Sequence, residues 1–231
     1  MSIKDNLAHI RSQIAAACAR SGRDPAAVRL VAVSKTHPAT LVEEAAAAGQ
    51  RLFGESYVQE FVAKAEAVQA PVEWHFIGAL QSNKIKYLRG RVALIHSVDR
   101  LSLAEEIDRQ WAKIERTADV LLQVNLGGEE SKSGIDETGL HELVHQVARL
   151  PHVRIRGLMT LPPYFDEAEA VRPFFRRLGE LAGEIRALGL PGVEMAELSM
   201  GMSHDFAVAI EEGATLVRVG TAIFGERAYP Q

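Results

Sequence analysis

The chain has 231 residues, with 26 basic and 30 acidic side chains and a formal charge of −4. Its 47% apolar and 24% charged residues are enough to build a core, which excludes a disordered or fibrous chain. The mild acidity gives no general grip on phosphate backbones, so no nucleic-acid partner is expected, and one cysteine, Cys18, cannot form an internal disulfide.

Leu7, Ile10, Ile14, Ala17 and Cys18 follow a 3.6-residue period that predicts an opening helix. Ser2 and Asp5 resemble its capping box, and Ser21-Gly22 ahead of Pro25 stops it. The amino terminus has no apolar targeting segment, and no run approaches the roughly 18 apolar residues of a membrane span. A cytoplasmic protein without membrane contact is expected.

A rhythm of short apolar runs and helical patterns follows. Strands are predicted at 30–33, 51–53, 73–77, 92–96, 120–126, 153–158, 194–199 and 216–219. Helices are predicted at 39–48, 57–68, 81–88, 101–114, 138–150, 167–188 and 205–212. Near-continuous apolar strands alternating with helices imply a parallel sheet covered on both faces. Eight units favour a closed (β/α)8 TIM barrel with an extra N-terminal helix over an open doubly wound sheet. The first strand also lacks the G-x-G-x-x-G turn of a dinucleotide site. No linker divides the chain, so residues 1–231 read as a single domain.

In such a barrel the chemistry lies at the carboxyl ends of the strands. Ser34-Lys35-Thr36 ends the first strand, where partial burial would make the Lys35 amine nucleophilic and able to form a Schiff base. Gly201 and Gly220 let backbone amides approach an anion, and Ser199, Ser203 and Thr221 add hydroxyls. A lysine and phosphate loops on one rim describe a pyridoxal phosphate site. Arg218 points inward if Val217 and Val219 pack outward. It would then lie beside the pyridine nitrogen, keep it unprotonated and weaken the ring as an electron sink.

Two patterns compete with this reading. His141-Glu142-Leu143-Val144-His145 matches the H-E-x-x-H zinc signature. Leu140, Leu143, Val144 and Val147 form the stripe that must face the barrel, so both histidines fall on an outer helix away from the rim and no metal is expected. The basic run Lys84, Lys86, Arg89 and Arg91 has a single aromatic, Tyr87, and reads as a solvated helix flank.

Several motifs together resemble the pyridoxal phosphate homeostasis protein family. They include Ala32-Val33-Ser34-Lys35-Thr36, Phe53-Gly54-Glu55, Trp74-His75-Phe76-Ile77-Gly78, Leu80-Gln81-Ser82-Asn83-Lys84 and Ser131-Lys132-Ser133-Gly134. Arg156-Gly157-Leu158-Met159, Leu198-Ser199-Met200-Gly201-Met202-Ser203 and Arg218-Val219-Gly220-Thr221-Ala222-Ile223-Phe224-Gly225 complete the series in family order. The resemblance implies a fold-type III barrel like the alanine racemase N-terminal domain, with pyridoxal 5'-phosphate held as a Schiff base on Lys35. It implies phosphate contacts from Ser199, Gly220 and Thr221, and Arg218 near the ring nitrogen. It also implies a carrier that buffers and delivers the cofactor, transiently to dependent apoenzymes, and so maintains vitamin B6 and amino-acid homeostasis without established catalysis. Ser56 stands where the family usually has asparagine, and His37 where many members carry a second lysine.

Two enzyme readings stay open beside the carrier: an amino-acid racemase or lyase using the same cofactor, and a cofactor-free Schiff-base aldolase. Racemisation needs a proton acceptor on each face of the α-carbon. Lys35 can be one. Tyr57 and Tyr164, nearest the rim, do not resemble the racemase tyrosine motif, and no second domain follows in the sequence, so negligible racemase activity is expected.

Overall fold

A computed structural model describes residues 2–128 and 133–226. Eight parallel strands close into a barrel in sequence order: β1 (Arg29–Val33), β2 (Leu52–Glu55), β3 (Glu73–Phe76), β4 (Leu94–Val98), β5 (Ala118–Val124), β6 (Val153–Thr160), β7 (Val193–Ser199) and β8 (Leu216–Val219). β8 pairs with β1, Val31 opposite Arg218 and Ala32 opposite Val219, so no strand edge is left open.

The outer layer comprises α1 (Ile3–Arg20), α2 (Ala39–Ala47), α3 (Val58–Ala67), α4 (Leu101–Ala112), α5 (Glu137–Val147), α6 (Arg172–Ala187), α7 (Phe206–Glu211) and α8 (Thr221–Phe224). α1 opens on the expected capping box, Ser2 Oγ accepting the Asp5 amide and Asp5 accepting the Ser2 amide. Its buried stripe is Ile3, Leu7, Ile10, Ile14, Ala17 and Cys18. α7 and α8 are too short to cover the last strands alone. α1 packs against both, and Asn6 Nδ2 donates to the Ile223 carbonyl at 2.8 Å. The extra helix therefore completes the outer ring.

One expected helix is absent. Residues 82–87 form a six-residue 3₁₀ turn (Ser82–Tyr87), and only Ile85 within it is buried. The segment is too short to propagate α-helical bonds and closes on i→i+3 bonds, such as the Leu88 amide to the Ile85 carbonyl at 2.9 Å.

The core has two shells. Between barrel and helices lie residues such as Phe53, Phe76, Ile95, Val217 and Val219. Inside the barrel Val31, Leu52, Leu94, Leu121, Met159 and Leu216 form a separate apolar plug. Val217 and Val219 thus face outward and Arg218 faces in. No described helix is long and apolar enough to cross a membrane.

Candidate functional site

Beyond Val33 the chain turns sharply through Ser34, Lys35, Thr36 and His37, closed by the His37 amide on the Ser34 carbonyl at 3.1 Å. Thr36 takes a positive φ of 67°, which few β-branched residues adopt. Lys35, half-buried, opens into a cavity of about 380 Å³ lined also by Ser56, Tyr57, Ile77, Gly78, Gln123 and Leu161. Its walls come from the carboxyl ends of β1, β2, β3, β5 and β6. Gly78 is required there, because a Cβ would stand 2.1 Å from the Ser56 carbonyl oxygen. Gln123 forms part of the cavity lining and donates to the Ser133 carbonyl at 2.8 Å. Ser131 and Lys132 of the same motif lie outside the described residues.

The remaining expected residues belong to the ends of β7 and β8, of which β8 pairs with β1. Gly220 lies beside the end of β1, where a Cβ would come 3.1 Å from the Val33 carbonyl oxygen. Thr221 opens α8 and is exposed. Gly201, at φ 90°, cannot carry a side chain: a Cβ would meet Ala209 Cβ at 2.6 Å. The turn after it is held by the Asp205 carboxylate, which accepts the Met202 amide at 2.6 Å. Ser199, Arg218, Gly220 and Thr221 are not in the wall of the Lys35 cavity.

Arg218 is buried at 4% exposure. It donates from Nη1 to Ser199 Oγ at 2.5 Å and from Nη2 to the Thr160 carbonyl at 2.9 Å. Burial pushes its pKa down to about 10, with Asp205 opposing at longer range. No described carboxylate pairs with it directly.

Ser199 continues into a buried chain that sequence reasoning missed. Its Oγ lies 2.8 Å from His96 Nδ1; His96 Nε2 lies 2.8 Å from His75 Nδ1; and His75 Nε2 lies 3.0 Å from Glu73 Oε1. Burial holds the imidazole of His75 below its usual pKa and that of His96 well below, so both are neutral at pH 7. The hydrogen bond from His75 lowers the Glu73 carboxyl and keeps it ionised. An ionised Glu73 can only accept, which fixes the direction of every bond. Each histidine carries its proton on Nε2, and Ser199 must donate to His96 while accepting from Arg218. The Ser199 proton therefore points away from the rim, and of the expected phosphate contacts this is the one the hydrogen bonding does not favour. The signal in the sequence was a histidine inside each of two apolar runs, Trp74-His75-Phe76 and Ile95-His96-Ser97.

A second buried group lies behind Lys35. Lys64 Nζ is 2.7 Å from Glu55 Oε1, and Ser34 Oγ donates to the same oxygen at 2.6 Å. Burial pushes the Glu55 carboxyl above the ordinary range, opposed by the Lys64 ammonium. The competing patterns fall elsewhere. His141 faces Glu184 of α6 at 3.6 Å, and among the described residues no three metal-ligating side chains gather. In the basic run, Arg89 bonds Gln110 and Arg91 stacks on the Phe61 ring.

The family model for the alanine racemase N-terminal domain matches residues 6–228. A pyridoxal phosphate homeostasis protein of Aquifex aeolicus is 48% identical over 99% of this chain and 100% of its own length. One from Pseudomonas aeruginosa is 47% identical over 99% and 97%. Among solved structures, PipY of Synechococcus elongatus with PLP bound has a TM-score of 0.86 at 40% identity, covering 97% of this chain and 100% of that one. Alanine racemase of Corynebacterium glutamicum shares the fold alone, at TM-score 0.67 and 19% identity. Full-length identity of this order, on a barrel whose expected site residues lie at the carboxyl ends of β1, β7 and β8, makes the chain a member of the pyridoxal phosphate homeostasis protein family, built on the alanine racemase N-terminal-domain fold.

Proposed function

We propose that this protein binds pyridoxal 5'-phosphate as a Schiff base on Lys35, and that it buffers and delivers the cofactor in the cytoplasm to dependent apoenzymes. The observation that carries the reading is the pairing of two cations of different kinds on one rim. Lys35 is half-buried at a cavity large enough for a small aromatic ligand. Arg218 is a fully buried guanidinium with two described acceptors for its five N–H donors. A buried cation so sparsely satisfied fits a ligand that brings an acceptor, and a pyridine nitrogen is one.

When bound, the cofactor supplies an aldehyde for the amine and a phosphate dianion. Lys35 provides the nucleophilic nitrogen. Arg218 would donate an N–H toward the ring nitrogen and stay charged. Gly220 and Thr221 offer backbone amides and a hydroxyl to the phosphate, the first amides of a helix having no intrahelical acceptor. Ser199 serves below Arg218, as the acceptor that aims it.

The test is the visible spectrum of the purified protein with added cofactor, followed by borohydride reduction and peptide mapping. The expected result is a coloured protein labelled at Lys35. A colourless protein that still traps a carbonyl substrate on a lysine would favour the aldolase. The racemase or lyase reading has one observation in its favour: Tyr57 lines the same cavity.

A further inference from the structure

A helix lysine is ordinarily solvated; Lys64 lies on α3 three residues beyond the buried Phe61, on the same face. Its side chain is instead 7% exposed, and its ammonium uses all three protons. They go to the Ser34 carbonyl at 2.7 Å, to Glu55 Oε1 at 2.7 Å and to Glu60 Oε2 at 3.2 Å. Each acceptor leads back to the same four-residue turn. Glu55 Oε1 also accepts from Ser34 Oγ, and Glu60 Oε2 also accepts the Thr36 amide at 2.7 Å. The residues held are 34 and 36, one on either side of Lys35. Thr36 is held in the left-handed region, a conformation that persists only where its surroundings enforce it.

A buried ion pair is a poor way to stabilise a fold, since well-packed apolar side chains usually serve as well or better. Its value here is geometric: Ser34 and Thr36 are fixed by main-chain and side-chain bonds, and the base of the Lys35 side chain has one orientation. We propose that Lys64 is a positioning residue for Lys35, acting through Glu55 and Glu60 on the backbone of the turn that carries it. The proposal rests on Lys35 being the attachment point of the cofactor.

The test compares Glu60→Ala, Glu60→Gln and the double variant Lys64→Met/Glu55→Gln with the parent protein. Glu60 is one-third exposed, so its removal leaves Lys64 still paired with Glu55, whereas Lys64→Met alone would strand a buried carboxylate. Three quantities are read: the dissociation constant for pyridoxal phosphate, the pH midpoint of the band of the linked cofactor, and hydrogen exchange at the Thr36 amide without cofactor. Glu60→Ala and the double variant are expected to weaken binding about tenfold, the ratio that corresponds to about 1.4 kcal/mol. Both should also move the pH midpoint, and in Glu60→Ala the Thr36 amide should exchange rapidly. Glu60→Gln retains an acceptor for that amide and should stay close to the parent. Borohydride labelling of the parent away from Lys35 would refute the proposed function itself. Labelling at Lys35 with unchanged constants and midpoints in Glu60→Ala and the double variant would overturn the positioning role alone. So would a Glu60→Gln protein as impaired as Glu60→Ala, or a Glu60→Ala protein that no longer unfolds cooperatively.

Discussion

Two buried serines beside His96, Ser199 hydrogen-bonded to it and Ser97 next to it in sequence, should respond oppositely to alanine. Ser199 is fully buried; its oxygen accepts from Arg218 at 2.5 Å and its proton goes to His96 at 2.8 Å. Ser199→Ala leaves a charged N–H and an imidazole nitrogen without partners. The space vacated by one oxygen is well below the roughly 30 Å³ that a water occupies, so solvent does not replace it. A stranded buried group costs about 1–3 kcal/mol, more when charged, so the two together predict a loss of about 2–5 kcal/mol. Ser97, beside His96 on β4, is 2% exposed and its Oγ has no hydrogen-bond partner among the described residues. Ser97→Ala removes a hydroxyl that is already unsatisfied and should be neutral or stabilising by up to about 1 kcal/mol. Urea denaturation at pH 7.5 measures both, as shifts in midpoint at constant slope. Equal effects of the two substitutions, or a Ser199→Ala loss below about 0.5 kcal/mol, would refute the hydrogen-bond chain.

Four further outcomes are expected. Lys35→Ala should abolish the reducible cofactor linkage while moving the unfolding free energy by less than about 0.5 kcal/mol, since Lys35 lies at the rim rather than in the core; a label that moves to Lys84 on peptide mapping would show the wrong lysine was chosen. Stability should fall as the pH is lowered through about 6.5, because the unfolded chain then takes up protons that His75 and His96 refuse when folded. The slope is up to about 1.4 kcal/mol per pH unit for each histidine, opposed nearer pH 4.5 by the raised carboxyls of Glu55 and Asp205. Imidazole resonances of His96 that titrate near 6.5 would contradict this. Metal analysis should find no stoichiometric zinc, and one zinc per chain that is lost in His145→Ala would reverse the reading of the H-E-x-x-H segment. Exchange of the alanine α-proton should stay far below the roughly 1 s⁻¹ of ordinary enzymes, because Tyr57 is 52% exposed and has no described hydrogen-bond partner to hold it against a substrate.

The barrel was legible because parallel strands covered on both faces must be apolar throughout, and the runs around Val31, Leu121 and Val217 are. The rim was legible for a related reason: polar residues and glycines cluster at the carboxyl ends of those runs, as in Ser34-Lys35 and Val219-Gly220. What periodicity does not encode is which polar side chains turn inward to meet one another. Lys64 shares a helix face with Phe61, where the pattern calls for an apolar residue, and its burial depends on acceptors at the ends of β1 and β2, the Ser34 carbonyl and Glu55. His75 and His96 are 21 positions apart and become neighbours only when β3 and β4 pair. Residues 81–88 misled in the other direction: Ile85 and Leu88 are both buried at helical spacing, yet so short a segment closes as a 3₁₀ turn.

The seam of the barrel has a consequence for how the protein is made. β1 and β8 pair directly, and α1 is tied to α8 through Asn6 and Ile223, so the first strand synthesised waits for the last. Lys35 and Gly220 lie on opposite sides of that seam. A ribosome-bound chain can fold the units in between, but it has no Gly220–Thr221 loop beside Lys35 until β8 has emerged and docked. On the proposed site, full cofactor affinity is a property of the closed barrel. In a translation-arrest series, its onset would time ring closure from within a nascent chain.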